Sequence, residues 1–318
     1  MRAGAVDAHV ALKGELVAED WFAAGQAAAR ALEHGRSLCV PGARLVDVAG
    51  AVEQHIRDAG FGLAFPCTLS LNHVAAHFTP THDDATVLRE GDLVKLDCGA
   101  ERNGALSDNA CTVEVGAAGG GRAGTHARLI EAAEACLKEA MAIIGPNVDL
   151  GTVGAAIELT ARDFGFRTIQ NLTGHSLEPW NLHAGLTVPN CTMKVHRRPR
   201  IGDVLACEPF VTSGAAGRVE NSGPGNIYHF QRSRPLRLPS AKKLLGHVER
   251  HHPRLPFAER WLTGALEPQK LGFNLLQLQK ETALKHYPAL SEASSGLVAQ
   301  AEATLLITED GCVATTRA

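Results

Sequence analysis

Apolar residues recur at helical spacing in four stretches of this chain. Ala18–Leu38 is Ala-rich, and Val40-Pro41-Gly42 supplies its stop. Leu45–Ala59 places Leu45, Val48, Ala49, Val52 and Ile56 on one face, with Gly60 as the capping residue. Ala127–Ile144 and Leu150–Phe164 predict two more helices. Elsewhere the period shortens. Leu93–Cys98 reads as a buried strand launched by Gly91-Asp92, and Ala105–Val115 as a second strand after an Asn103-Gly104 turn. The stretch FGLAFPCTLSLNHVAAHFTP before them is extended and punctuated by proline. Residues 1–15 form a lead-in and 116–124 a Gly-rich loop. Past a Pro-rich segment near 234–239, helices are expected at Ala241–His251, Phe257–Leu266 and Leu271–Leu284.

The hairpin carries two acids that need a reason. A two-residue loop pairs 102 with 105, hence 97 with 110 and 99 with 108, so Asp97 and Asp108 are diagonal neighbours on one face. A four-residue loop sets them directly opposite, still on one face. Like charges in apolar strands repel unless they are protonated or share a cation. A hairpin with one solvated face would also accommodate them.

The second half of the pattern repeats the first. At an offset of 105 residues, Arg57-Asp58-Ala59-Gly60-Phe61 returns as Arg162-Asp163-Phe164-Gly165-Phe166. At 106, His77 finds His183; at 111, the run from Gly91 to Asp97 finds the run from Gly202 to Glu208. Three matches in one order describe a duplicated unit: helices, then a strand with a histidine, then a strand with an acid. Two such units packed about a pseudo-twofold axis bring both acid-bearing strands to a central cleft. After the second acid, the next acid in an apolar β-rich run is Glu302.

Composition narrows the class of protein. Charge is nearly balanced, at a net of −3, which gives no footprint for nucleic acid or an anionic membrane. No apolar run is long enough to span a bilayer, and the first twenty residues lack the blocks of a signal peptide. Eight scattered cysteines without a CxxC pair fit a reduced compartment. The expectation is a cytoplasmic protein of one domain, 1–318, with a helical insertion at about 226–288.

Collected on the expected strands are Asp97, Asp108, Glu208, Glu302, His77, His175 and His183. Four carboxylates balance two divalent ions, and an oxygen-rich set with one imidazole suits Mn²⁺, Fe²⁺, Co²⁺ or Zn²⁺. Two such ions sharing a water can hydrolyse an amide. His34, His55 and His247 are read as structural.

The runs LAFPCTLSLN, AAHFTP, VLREGDLVKLDCG, SDNA, TGH, LHAG, GDVLACEPF and LPFAERWL together resemble the type II methionine aminopeptidases, in their short archaeal form. The resemblance covers roughly residues 16–310. It implies the α+β pita-bread fold, two pseudo-symmetric halves with a central antiparallel sheet flanked by helices, plus the helical insertion. It also implies metal ligands at Asp97, Asp108, His175, Glu208 and Glu302. In that family a metal-bridging hydroxide attacks the first peptide carbonyl, with the carboxylate at Glu208 as proton shuttle. His77 and His183 would contact the substrate, and Phe65 and Leu182 would line the methionine pocket. The implied task is removal of methionine from nascent chains whose second residue is small, by a monomer that docks transiently on the ribosome. One departure stands out: the last ligand sits in Gln300-Ala301-Glu302-Ala303-Thr304, without the bulky neighbours usual in the family. By alternation Ala301 and Ala303 face away from the metals, so the expected consequence is in packing.

Two other readings use the same residues. One is a catalytically inactive pita-bread paralogue serving as a binding or regulatory scaffold, which the presence of all five ligand matches opposes. The other is a proline-directed aminopeptidase or dipeptidase, which shares the ligands but lacks the LPFAERWL-type segment.

Overall fold

The computed structural model describes residues 18–117 and 124–317. The expected lead-in and most of the Gly-rich loop lie outside the described residues. The first half runs α1 (Ala18–Leu38), α2 (Leu45–Asp58), β1 (Gly62–Leu71), β2 (Val74–Ala76), β3 (Leu93–Arg102), β4 (Ala105–Leu106) and β5 (Asn109–Glu114). The second begins in the same order with α3 (Ala127–Ile143) and α4 (Leu150–Asp163). Then come β6 (Arg167–Thr168), β7 (Thr173–Leu177), β8 (Thr187–Pro189), β9 (Val204–Cys207) and β10 (Phe210–Thr212). The remainder is β11 (Val219–Phe230), α5 (Pro239–His251), β12 (Phe257–Ala258), a 3₁₀ turn at Glu259–Leu262, α6 (Pro268–Lys280), β13 (Leu284–Glu292), β14 (Val298–Gln300), β15 (Ala303–Thr308) and β16 (Gly311–Ala314).

All four helices expected in the two halves form, each within one residue of its expected ends. The duplicated pentapeptide explains two of those ends. Gly60 and Gly165 both take φ +85°, where a side chain is disfavoured. Their N–H groups donate to Arg57 O and Arg162 O at 2.9 and 2.8 Å, and those of Phe61 and Phe166 reach back to Ile56 O and Ala161 O. These are two copies of one helix stop. The turns before the acid-bearing strands also match. Asp92 accepts from the Arg89 N–H and Asp203 from the Arg200 N–H, each at 2.8 Å.

Every strand is antiparallel to its partners. β3 pairs with β1, β4 and β5; β9 lies between β7 and β15, with β8 and β16 beyond them. Two further sheets are ordered β14-β10-β6 and β12-β11-β13-β2. Helices α1 and α2 bury Ala28, Ala31, Val48, Val52 and Ile56 against Leu69, Val94 and Leu96 of the first sheet. Helices α3 and α4 do the same in the second half, where Leu137, Val153 and Ile157 meet Leu205, Cys207 and Leu305. Apolar burial of this kind, about 25 cal/mol per Å², is what clamps each half shut.

Two expected elements differ. Phe257–Leu266 is not a helix but the short strand β12 followed by a 3₁₀ turn. Phe257 and Ala258 are held by the edge of β11, so tertiary pairing overrides a local helical pattern. The helix expected at Leu271–Leu284 spans Pro268–Lys280 and ends where Thr282 takes φ 56°. Leu284 already belongs to β13. Helices α5 and α6, with Tyr228, Phe257 and Leu284, enclose their own apolar cluster, against the cleft strands β11 and β13.

Candidate metal centre

The centre is built on the hairpin. Asn103 and Gly104 both have positive φ, 53° and 97°, as a two-residue hairpin turn with the twist of its strands requires. Arg102 pairs with Ala105 and Asp97 with Ala110, the register expected for a two-residue loop. The second strand is not continuous. It breaks at Ser107-Asp108, because Thr304 takes over both backbone groups of Asp108. The Thr304 hydroxyl accepts from the Asp108 N–H and donates to its carbonyl, both at 2.8 Å. Glu208 likewise sits between β9 and β10, and Glu302 between β14 and β15. Three of the four carboxylates therefore project from strand breaks.

Ligating oxygens of Asp97, Asp108 and Glu302 lie within 4.8 Å of one another. Nε2 of His175 is 3.6 Å from both Asp108 Oδ2 and Glu208 Oε1. The Thr68 hydroxyl donates to Asp97 Oδ2 at 3.5 Å, and Gln300 Nε2 donates to Glu302 Oε2 at 3.0 Å. Their other oxygens, Asp97 Oδ1 and Glu302 Oε1, are buried with no hydrogen-bond partner among the described residues, as is Nδ1 of His175. Buried acceptors without donors are costly. A divalent cation is the group that removes this cost, and the hard oxygen donors with one imidazole fit it.

Electrostatics among the cleft's own groups point the same way. Burial, reinforced by the neighbouring Asp108 charge, raises the Asp97 carboxyl well above the usual range. Burial pushes Asp108 up to about 7. Glu208 and Glu302 are raised by burial first and by the other cleft acids second. His175 is lowered to about 3, and His77 and His183 to about 4, chiefly by burial. Such a cluster keeps protons on its acids until a cation displaces them, and its imidazoles are already neutral.

The nine residues singled out from the sequence, Asp97, Asp108, His175, Glu208, Glu302, His77, His183, Phe65 and Leu182, all line one cavity. Of the seven polar residues expected on strands, only Asp97 and His175 are on one: Asp108, Glu208 and Glu302 sit at the breaks described above, and two histidines are also displaced. His77 lies just past β2 with φ 66°, and His183 lies in the loop between β7 and β8, so neither is on a strand. The His183 ring lies 4.3 Å from that of His175, tilted by 41°. Ala301 and Ala303 do face away, into the apolar core beside α3 and α4. Gln300, Glu302 and Thr304 share the opposite face, and each bonds within the centre.

Sequence reasoning passed over Thr68, Gln300, Thr304 and Tyr287. Alternation around Glu302 was a usable signal for Gln300 and Thr304. Tyr287 carried none: it reaches the cavity from β13, with its ring 5.7 Å from His77 and 6.4 Å from His183. Ile227 of β11 and Pro256 complete that wall.

A buried carboxylate cluster where two like halves meet, roofed by imidazoles, is the architecture of a metal-dependent hydrolase. The model of "Metallopeptidase family M24" matches residues 21–249. The methionine aminopeptidase of Methanocaldococcus jannaschii is 38% identical over 294 residues, covering 92% of this chain and 96% of that one. The enzyme of the same name from Thermococcus kodakarensis is 41% identical over 294 residues, covering 92% and 97%. A crystal structure of methionine aminopeptidase from Thermotoga maritima superimposes with a TM-score of 0.68 at 24% identity, covering 94% of this chain and 96% of that one, which speaks for the shared fold. The chain belongs to metallopeptidase family M24, among its type II methionine aminopeptidases, and has their pita-bread fold. Divalent metal ions are the cofactors of that family. No helix among the described residues is long and apolar enough to cross a membrane.

Proposed function

We propose that this protein removes the N-terminal methionine from peptides and nascent chains whose second residue is small. The carrying observation is the convergence of four carboxylates and His175 on one buried cavity, with unpartnered oxygens on Asp97 and Glu302. Asp97, Asp108, His175, Glu208 and Glu302 would hold two divalent ions, Mn²⁺, Fe²⁺, Co²⁺ or Zn²⁺, with Asp108 and Glu302 shared between them. Bound there, the pair supplies a water that is nucleophilic at neutral pH and polarises the scissile carbonyl.

The chain's own groups do the rest. Glu208 accepts the proton released by the attacking water and returns it to the leaving amine nitrogen as the C–N bond breaks. His77 and His183, neutral at physiological pH, donate hydrogen bonds to the carbonyl oxygen as negative charge grows there. Phe65 and Leu182, with Ile227 and Tyr287, enclose the thioether side chain in an apolar pocket. We read the chain as one catalytic domain, with about 226–288 as an insertion that supplies this last wall. It works as a cytoplasmic monomer that meets its substrates at the ribosome.

The test is mass spectrometry of products from peptides beginning Met-Ala, Met-Leu and Ala-Pro, with each metal supplied in turn. Release of methionine from Met-Ala alone is the expected result. Cleavage of Ala-Pro overturns it in favour of a proline-directed enzyme, and no cleavage with any metal favours an inactive scaffold. Glu208→Gln should abolish turnover while the fold persists; near-wild-type turnover would sink the proton-shuttle role.

A further inference from the structure

A buried ion pair lies outside the metal centre yet touches the two segments that shape the substrate side of the cleft. Glu53, on α2, is 2% exposed. Its carboxylate faces the Arg260 guanidinium from the 3₁₀ turn and accepts from Trp261 Nε1 at 2.8 Å. Both side chains of the pair are nearly inaccessible, 3% and 7% exposed. Burying two charges forfeits their hydration before attraction is counted, and apolar residues often do as well for stability. The position of this pair therefore calls for an account.

Strand β1 supplies the reason. Its pairing with β3 shifts register on both sides of Phe65, between Leu63 and Phe65 and again between Phe65 and Thr68. A bulge of this kind re-aims side chains and takes backbone groups off the ladder. Phe65 and Thr68 both turn into the cavity as a result. Cys67, between them, has its N–H taken by Glu53 Oε1 at 3.1 Å and its carbonyl by the Thr79 hydroxyl at 2.6 Å. Arg260 bridges these two partners of the bulge, because its guanidinium also donates to Thr79 Oγ1 and, at 3.1 Å, to the Pro80 carbonyl.

Thr79 is two residues from His77. Its N–H donates to Gly225 O at 3.1 Å, and its carbonyl accepts from Asn226 Nδ2 at 2.8 Å. Gly225 also lies hard against the His77 carbonyl, 2.3 Å from where a β-carbon would stand. The left-handed His77 is thus wedged between β11 and a turn that Arg260 ties down.

We propose that Glu53, Arg260 and Thr79 form a positioning clamp that sets His77 against the metal centre, with the Phe65–Thr68 bulge as its fixed anchor. The helical segment between β11 and β13 acts on turnover through this clamp as well as through its wall of the pocket. The clamp rests on the aminopeptidase reading for its kinetic effect but not for its structural one.

The test uses Thr79→Val, which removes one hydroxyl at constant volume, with Arg260→Lys as the second variant should the first not fold. Expected on a Met-Ala-Ser peptide is a fall in kcat of about ten- to a hundredfold, as for a misplaced catalytic contact. KM and the stoichiometry of bound Mn²⁺ should stay within about twofold. On a His77→Ala background the same substitution should change kcat by less than about twofold, because its route of action is gone. A full multiplicative loss on that background, or unchanged kcat in the single variant, overturns the clamp. An activity-free readout stands beside these: in ¹³C-histidine-labelled protein the His77 ring resonance should move in Thr79→Val while those of His34 and His55 do not. An unmoved His77 resonance overturns the inference whether or not the protein cleaves peptides, whereas absence of wild-type turnover with a displaced resonance counts against the aminopeptidase reading alone.

Discussion

The two halves agree where the chain turns and differ where it carries charge. Helix stops at Gly60 and Gly165 match bond for bond, and so do the Asp92 and Asp203 turns that launch β3 and β9. Past that point the first half places Asp97 and Asp108 on one local hairpin. The second separates Glu208 from Glu302 by β10 to β14, then restores the arrangement by pairing β9 with β15. Cys207 faces Ala303 there, so Glu208 and Glu302 leave the paired strands at adjoining ends. One geometry is thus reached once by a turn and once by long-range sheet pairing. Symmetry of scaffold does not require symmetry of connection, and the half with the longer excursion is the one that gained Ile227, Pro256 and Tyr287 for the cavity wall.

The largest expected effects test whether the two routes yield equivalent acids. Asp108→Asn and Glu302→Gln should each lower kcat/KM for Met-Ala-Ser on the order of a thousandfold, and each should lose bound metal in calorimetric titration. A variant of either acid retaining more than a tenth of the activity would break the equivalence.

Next comes the charge that both halves contribute. In the unfolded chain these carboxyls titrate near 4, whereas in the metal-free fold Asp108 holds its proton to about 7 and the others are also raised. A raised carboxyl stabilises the fold at low pH, and that stability is lost as pH climbs toward the folded value. The depressed histidines work oppositely, but their contribution is complete above about 6.5. Between pH 6.5 and 8, therefore, the melting temperature in chelator should fall, while that of the Mn²⁺-loaded protein changes much less. Parallel profiles in the two conditions would contradict the neutralising role assigned to the cation.

Smaller effects probe the scaffold. Gly104→Ala, at φ +97° with a β-carbon 2.5 Å from Trp180 Nε1, should cost about 2 kcal/mol in urea unfolding. No equivalent turn exists between β9 and β15, so the first half alone carries this sensitivity. Gly60→Ala and Gly165→Ala should cost about 1 kcal/mol each and agree with one another, since neither β-carbon meets a neighbour within 4 Å. Unequal costs would show that the matched stops are not energetically alike.

How far the chain could be read follows the same division. The helices α1 to α4 are local events of periodicity and capping, and the hairpin register follows from Asn103-Gly104. The five ligand positions emerge from a repeat that the residues display, joined to family motifs. What stayed hidden depends on distant partners. β11 contains Ser222-Gly223-Pro224-Gly225, poor strand formers, and is a strand because β13 and β12 pair with it. The break at Asp108 is made by Thr304, which no window around Asp108 contains. Tyr287 and the Glu53–Arg260 pair were out of reach for the same reason.

The hydrogen bonds that tie Asp108 to Thr304 join positions 196 apart in sequence, and this sets an order in time. As the chain emerges during its own synthesis, α1 to β5 can collapse on their local contacts. The acids at Asp97 and Asp108 then wait, at 5–20 residues per second, roughly 10–40 s for residue 304. Until it arrives the hairpin lacks both the break that aims Asp108 and the carboxylate of Glu302. Capacity to capture ions is therefore acquired in one late step of biogenesis, after the helical segment has been made, and a half-built chain has no finished cage to fill.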